Sequence, residues 1–240
     1  RSTGWSRRLW SSPTDDGRPR IPLSGVGSEV DSRSSDAGTA VLVPVKSFDL
    51  AKGRLADRLD PGDRDRLARR MAAGVIAAAS PLPTYIVCDS DLVADWATEI
   101  GVGVLEVTAT GLNPAMTEAA VMARSMGHDR AIISHSDLPL ARDLTWLDRA
   151  PFDRGVVVVA DRHGTGTNVL ALPLDLDPPF IFRYGPGSAD LHRGEAERLG
   201  LAVQMVVDER LGWDLDTPDD LAAWLTEEIY GPEREPKGSR

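Results

Sequence analysis

What this 240-residue chain lacks narrows its chemistry before any motif is read. There is one cysteine, Cys88, so neither an internal disulfide nor a cysteine-based zinc site can form; a lone thiol in an apolar run is expected to be inert and buried. That usage fits a reducing compartment, and a cytoplasmic protein is expected. No apolar run approaches the ~20 residues that cross a bilayer, so no membrane role is expected. Positive charge is not in excess either. With 37 Asp and Glu against 27 Lys and Arg, the formal net charge is -10, which would repel nucleic acid and anionic membranes. A small anionic ligand in a local basic cleft is compatible with that balance.

Familiar site motifs are absent too. The chain has no G-x-x-x-x-G-K-[ST], no G-x-G-x-x-G and no G-x-S-x-G, so phosphate would have to be held by side-chain cations and helix-start amides. His128, His135, His163 and His192 show neither H-E-x-x-H nor H-x-H spacing, which disfavours zinc, although His135 and His192 could touch a substrate.

Composition divides the chain in three. Residues 1–36 mix Ser, Gly, Pro and Arg without sustained period and are expected to form a disordered extension. Asp15, Asp16, Glu29 and Asp31 are out of character for a targeting peptide. Residues 38–230 are expected to form one domain, and 231–240 a flexible tail. Within the domain, "AVLVPV" reads as a buried strand, and Leu67, Met71 and Val75 recur at helical spacing. "TYIVCD", "VGVLEV", "RAIISH", "GVVVVAD", "NVLAL" and "LAVQMVV" supply further strands. "DLVADWATEIG", "PAMTEAAVMARSMG" and "TPDDLAAWLTEEI" read as helices between or after them. Strands alternating with helices predict an α/β domain, a mostly parallel sheet covered on both faces, in which ligands bind beyond the carboxyl ends of the strands.

The strand ends therefore carry the chemistry. Lys46, Lys52 and Arg54 follow the first, "GLNPA" (111–115) the third and "SDLP" (136–139) the fourth; "DRHGTGTN" (161–168), "RYGPGS" (183–188) and "DLD" (214–216) come after. Cations, glycine-rich turns and isolated aspartates on one edge suit a nucleotide, a second phosphate and a divalent cation. Each residue also has a plainer reading. Lys52 and Arg54 would sit on the solvated face of a helix burying Leu50, Leu55 and Leu59. Lys46 is harder to explain that way, because it ends an apolar strand. Asp137 either turns the chain before Pro139 or faces a ligand. Thr217 and Asp220 have the spacing of a helix capping box, which leaves Asp214 and Asp216 over; if a strand runs that far, both point to one side. A calcium loop is disfavoured by Asp219 at its sixth position and Leu225 at its twelfth.

Taken in order, "VPVKSFDLAKGRL", "GLNPAM", "SDLPLA", "DRHGTGTNVLAL", "RYGPGSADLH" and "WDLDTPDDL" resemble the phosphoenolpyruvate or 2-phospho-L-lactate guanylyltransferases of coenzyme F-420 biosynthesis, over about residues 40–227. His135-Ser136 stands where the resemblance leads one to expect a glycine beside the aspartate. The resemblance implies a nucleotide-diphosphosugar-transferase-like, Rossmann-like fold, with GTP as substrate and Mg2+. It implies Asp137, Asp214 and Asp216 as metal ligands; Lys46, Lys52 and Arg54 on the GTP phosphates as the catalytic cations; and Leu112 and Asn113 near the guanine. Thr167, Gly185 and Ser188 would hold a phosphorylated three-carbon acid, and the unstable product would pass to the next enzyme of the pathway. A phosphate acceptor is already ionised at neutral pH, so no general base is required and none is evident. The Arg-, Ala- and Asp-rich composition looks bacterial, which within this resemblance points to phosphoenolpyruvate. 2-Phospho-L-lactate or 3-phosphoglycerate is the alternative, and a non-catalytic nucleotide-binding relative is a second. A molybdenum-cofactor or sugar-phosphate enzyme would show a glycine-rich segment at the first strand, which this chain lacks.

Overall fold

The computed structural model describes residues 38–48, 52–148 and 154–230; the expected extension 1–36, the tail 231–240 and Leu50 lie outside them. Seven strands form one sheet: β1 (Thr39–Pro44), β2 (Thr84–Cys88), β3 (Gly103–Glu106), β4 (Arg130–Ser134), β5 (Gly155–Ala160), β6 (Thr167–Pro173) and β7 (Ala202–Val206), in the order β3-β2-β1-β4-β6-β5-β7. Every pairing is parallel except those of β6, which runs antiparallel to both β4 and β5. The start of β6 thus lies at the edge where its neighbours end, and Thr167 joins the site edge from the opposite direction.

Period-2 alternation decides which face each residue serves. Val41 and Val43 face one core with α1 (Pro61–Ala79) and α2 (Asp91–Glu99); Ala40 and Leu42 face the other with α3 (Leu112–Ser125) and α4 (Ser188–Arg198). The helices start where local chemistry favours it. Asp60 caps α1 by accepting from the Asp63 amide at 2.7 Å, with Pro61 at the first helical position. The predicted capping box opens α5 (Pro218–Tyr230): Asp220 N donates to Thr217 Oγ1 at 3.2 Å, and Thr217 N to Asp220 Oδ2 at 2.7 Å. Cys88 is buried as expected, and desolvation pushes its thiol above the usual range.

Three elements differ from expectation. The stretch after β1 is no long helix: a 3-10 turn at Gly53–Leu55 follows Lys52, which takes a left-handed φ of 55°, while Leu55 is buried and Leu59 half-buried. α3 begins at Leu112, two residues before Pro114. α4 was not foreseen at all. Its buried positions include Ala189, His192, Glu195 and Ala196, too small and too polar to read as an apolar stripe, although Gly187 before it and Gly200 after it both have positive φ.

Candidate active site

At the carboxyl edge, the loops after β1 and β4 and the segment before α5 meet around Lys52. Its ammonium donates to Asp137 Oδ2 at 2.6 Å and to Asp216 Oδ1 at 2.9 Å, and its side chain is only 9% exposed. Burial alone would lower the Lys52 pKa, but the charges of Asp137 and Asp216 and the bonds to them outweigh it and hold it above the ordinary lysine value. For Asp137, burial pushes the carboxyl up, while Lys52 and His135 hold it below the usual range on balance. The other oxygen, Asp137 Oδ1, is buried with no hydrogen-bond partner. Asp214 goes the other way: burial raises it, the Asp137 and Asp216 charges add to that, and Arg162 opposes them.

No strand delivers Asp214 and Asp216, because β7 ends at Val206. The backbone is held by other partners instead: Leu215 N donates to Asp137 O at 3.1 Å, and Asp216 N to Asp220 Oδ2 at 3.0 Å. Arg162, unremarked in the sequence, fixes this segment by donating to Asp220 Oδ1 at 2.6 Å and to the Asp214 carbonyl at 3.3 Å. Gly212 makes the crossing feasible, since a Cβ there would lie 2.6 Å from the Asp208 carbonyl oxygen.

All the donors here are carboxylate oxygens, which suit a hard cation, and the unpartnered Asp137 Oδ1 favours positive charge beside it. Among the described residues, however, no three His, Cys, Asp or Glu side chains gather as a ligand set. The expected trio of ligands is therefore an Asp137–Asp216 pair sharing Lys52, with Asp214 beside it. That suits Mg2+, which is commonly held by one or two carboxylates, with water and substrate phosphates completing its shell.

Of the other expected cations, Arg54 is 76% exposed, with Nη1 3.8 Å from Asp216 Oδ2. Lys46 is exposed at the rim of a cavity of about 170 Å3 that Phe48, Lys52, Met71, Ser136 and Asp137 also line.

The second half of the site is neutral. Thr167 Oγ1 lies 3.0 Å from His192 Nδ1, and His192 Nε2 accepts from the Arg183 amide at 3.0 Å, so Nδ1 carries the proton and donates to Thr167. Burial, helped by His135, lowers the His192 pKa to about 4 against the pull of Glu195. "RYGPGS" does not follow a strand directly. β6 ends at the far edge, and residues 174–184 climb back with Phe180 and Phe182 buried, Glu195 Oε1 accepting from the Ile181 amide at 3.0 Å. At the top, Asn113 clamps Tyr184: its Nδ2 donates to Tyr184 O at 3.0 Å and its Oδ1 accepts from Tyr184 N at 2.6 Å. Asn113, expected near the guanine, ties the start of α3 to the loop that carries "RYGPGS". Leu112 beside it is half-buried against the α3–α4 core. Loop 108–109 is held in turn by Glu118, whose carboxylate accepts from the Thr108 and Ala109 amides.

Gly185 (φ 133°) and Gly187 (φ 74°) shape the turn into α4. Two amides of this turn are already engaged, Ser188 N by Gly185 O and Ala189 N by Thr165 O. The hydroxyls of Thr167 and Ser188 are the polar side-chain groups these residues bring. Of the other histidines, His135 has a buried, unpartnered Nε2 and packs 5.6 Å from the Tyr184 ring, whose hydroxyl is also unpartnered. His128 bonds Tyr85 away from the site, and His163 is exposed.

Comparison with known proteins places the chain in a family and agrees with its fold. The chain is 37% identical over 192 residues to a phosphoenolpyruvate guanylyltransferase of Chloroflexus aurantiacus, covering 75% of this chain and 91% of the relative. It is 36% identical over 195 residues to the enzyme of that name from Conexibacter woesei, covering 77% and 86%. A solved nucleotide-diphospho-sugar transferase from Desulfovibrio desulfuricans shares the fold with a TM-score of 0.67 at 18% identity, over 80% of this chain and 88% of that one. Residues 39–231 match the family described as guanylyl transferase CofC like, and with the relatives' identity and coverage this establishes that the chain belongs to that family.

Proposed function

We propose that the protein transfers GMP from GTP to the phosphate of phosphoenolpyruvate, releasing pyrophosphate, as a step of coenzyme F-420 biosynthesis. The observation that carries the proposal is the meeting at one sheet edge of a carboxylate–lysine cluster (Asp137, Asp216, Lys52) with an uncharged segment built around the buried Thr167, Ser188 and His192. The first is suited to a triphosphate with its cation, the second to a small phosphorylated acid. Relatives named for this activity support the same reading.

Asp137 and Asp216, with Asp214 beside them, would hold a Mg2+ ion, which when bound neutralises charge on the triphosphate. Lys52, Arg54 and Lys46 bring three cations to the triphosphate side, and Leu112 packs where the base would rest. The acceptor phosphate needs no base to ionise it, so the residues act by holding two anions in line and screening their repulsion. Thr167, with its lone pair engaged by His192 Nδ1–H, is left with its own hydrogen to donate to the acid. Tyr184, pinned by Asn113, sets how close the acceptor loop comes.

Pyrophosphate release from GTP and Mg2+ tests the proposal, with phosphoenolpyruvate, 2-phospho-L-lactate and 3-phosphoglycerate compared side by side. The expected result is the highest kcat/KM for phosphoenolpyruvate. A higher value for either rival reassigns the acceptor, and no turnover with any of them makes the protein a nucleotide binder.

A further inference from the structure

Resting on the guanylyltransferase reading, the geometry points to a second task for Lys52: it makes cation binding conditional on the nucleotide. We propose that the Lys52 ammonium is the resident counter-ion of Asp137 and Asp216, and that a divalent cation enters as its chelate with the triphosphate, which takes over Lys52 as a phosphate partner.

Three observations carry this. The ammonium binds one oxygen of each aspartate, at 2.6 and 2.9 Å, so it occupies the ground between the two carboxylates that a bridging cation would need. It is nearly buried, so it cannot give up both bonds to water without a replacement anion close by. And Lys52 is the one described residue other than glycine with a positive φ, 55°, a conformation that residues with a side chain rarely adopt. The fold holds its backbone in that conformation, and the side chain ends between two aspartates 85 and 164 residues away in sequence.

Charge arithmetic gives the direction. Lys52 and Arg54 face Asp137 and Asp216 and balance them, while Asp214 lies beside the pair with Arg162 as its opposing charge, so the cluster is neutralised before any ion arrives. A free divalent ion would have to lie against the ammonium or break both of its carboxylate bonds. A metal–nucleotide chelate brings a phosphate to take the ammonium over. Lys52 therefore serves the aspartates and the phosphates in turn, which reconciles its two short carboxylate bonds with a place on the triphosphate side of the site.

Mn2+ binding followed by water-proton relaxation, which separates protein-bound ion from free ion or free chelate, tests the proposal without turnover. The wild-type protein should bind Mn2+ weakly alone and tightly with GTP. Lys52→Met should bind Mn2+ alone about tenfold more tightly or better, since the ion no longer breaks a charge-assisted hydrogen bond of that strength. Lys52→Arg keeps the charge and should bind Mn2+ alone no better than wild type. Equal Mn2+ affinity of the wild type with and without GTP overturns the proposal with no variant needed, and so does a Lys52→Met protein that gains nothing. Asp216→Asn separates the two layers of the argument. If it keeps full binding of the Mn2+–GTP chelate, the cation sits elsewhere and the site assignment itself falls. If it loses that binding while wild type and Lys52→Met bind Mn2+ alone equally, only the role of Lys52 is wrong.

Discussion

The two halves of the carboxyl edge are built on opposite principles. Around Lys52, four charged groups from three stretches of chain, Lys52, Arg54, Asp137 and Asp216, are held together by their opposition, and one carboxylate oxygen, Asp137 Oδ1, has no protein partner. Around Thr167, His192, Asn113 and Tyr184, the groups are uncharged, and most of their hydrogen-bonding atoms are engaged by neighbours. A cluster of charges changes partners at low cost when another ion arrives, since one strong interaction replaces another. Buried neutral hydrogen bonds resist change, because losing one leaves a buried polar group unpaired. The first half is thus suited to a highly charged substrate that comes and goes with its cation, and the second to holding a small acid in a fixed pose.

The largest effect should come from the charged half. Asp137→Asn removes the buried carboxylate and is expected to reduce kcat by roughly a thousandfold or more while circular dichroism stays unchanged. Activity within tenfold of wild type would remove Asp137 from the mechanism. Next, Asn113→Ala opens the clamp on Tyr184 and should raise the acceptor KM and lower kcat by about tenfold each, through misplacement and not lost charge. A change confined to the KM for GTP would return Asn113 to the guanine.

A third prediction uses pH to separate the halves. His192 is depressed to about 4 by burial, against an unfolded value near 6.5. Between those values the unfolded chain binds a proton that the folded one refuses, so stability falls as pH drops from 6.5 towards 4, by an amount on the order of 3 kcal/mol if His192 acts alone. His135 and Glu195 face the ring and Thr167 bonds it, so the clean readout is a difference. In urea unfolding, His192→Gln should lose less stability than wild type across that window, and parallel curves would show that His192 does not titrate as described. The smallest effect belongs to Lys46, which is exposed and pairs with no carboxylate among the described residues. Lys46→Ala should raise the KM for GTP only two- to fivefold or so, more at low salt. An unchanged KM would leave it a solvated rim residue.

Much of this architecture was legible because its strands announce themselves as short apolar runs, and because Thr217 and Asp220 carry their cap in four consecutive residues. Local signals are the ones a sequence displays. The pairing of Lys52 with Asp137 and Asp216 is not local, and nothing in "LAKGRL" distinguishes a buried ammonium from a solvated one. Asn113 and Tyr184 are 71 positions apart, so their clamp was equally hidden. α4 was hidden differently: its inward face is built from Ala, Ser, His and Glu because it packs against a return segment whose amides need acceptors, and an apolar period was never required. Its flanking glycines and the first-turn Asp190 were the available signs.

The descending direction of β6 has a consequence for how such an enzyme can be altered. Because that strand runs opposite to its neighbours, the chain must travel from the far edge back to the acceptor loop through residues 174–184, outside the hydrogen-bonded ladder. The passage can change length without shifting the register of any strand, provided Phe180 and Phe182 keep their places and Tyr184 keeps its clamp. The segment from 174 to 188 is therefore a replaceable cassette on a fixed frame. Exchanging it between relatives would alter the loop at the site edge while leaving the sheet, and the Lys52 cluster it carries, as they are.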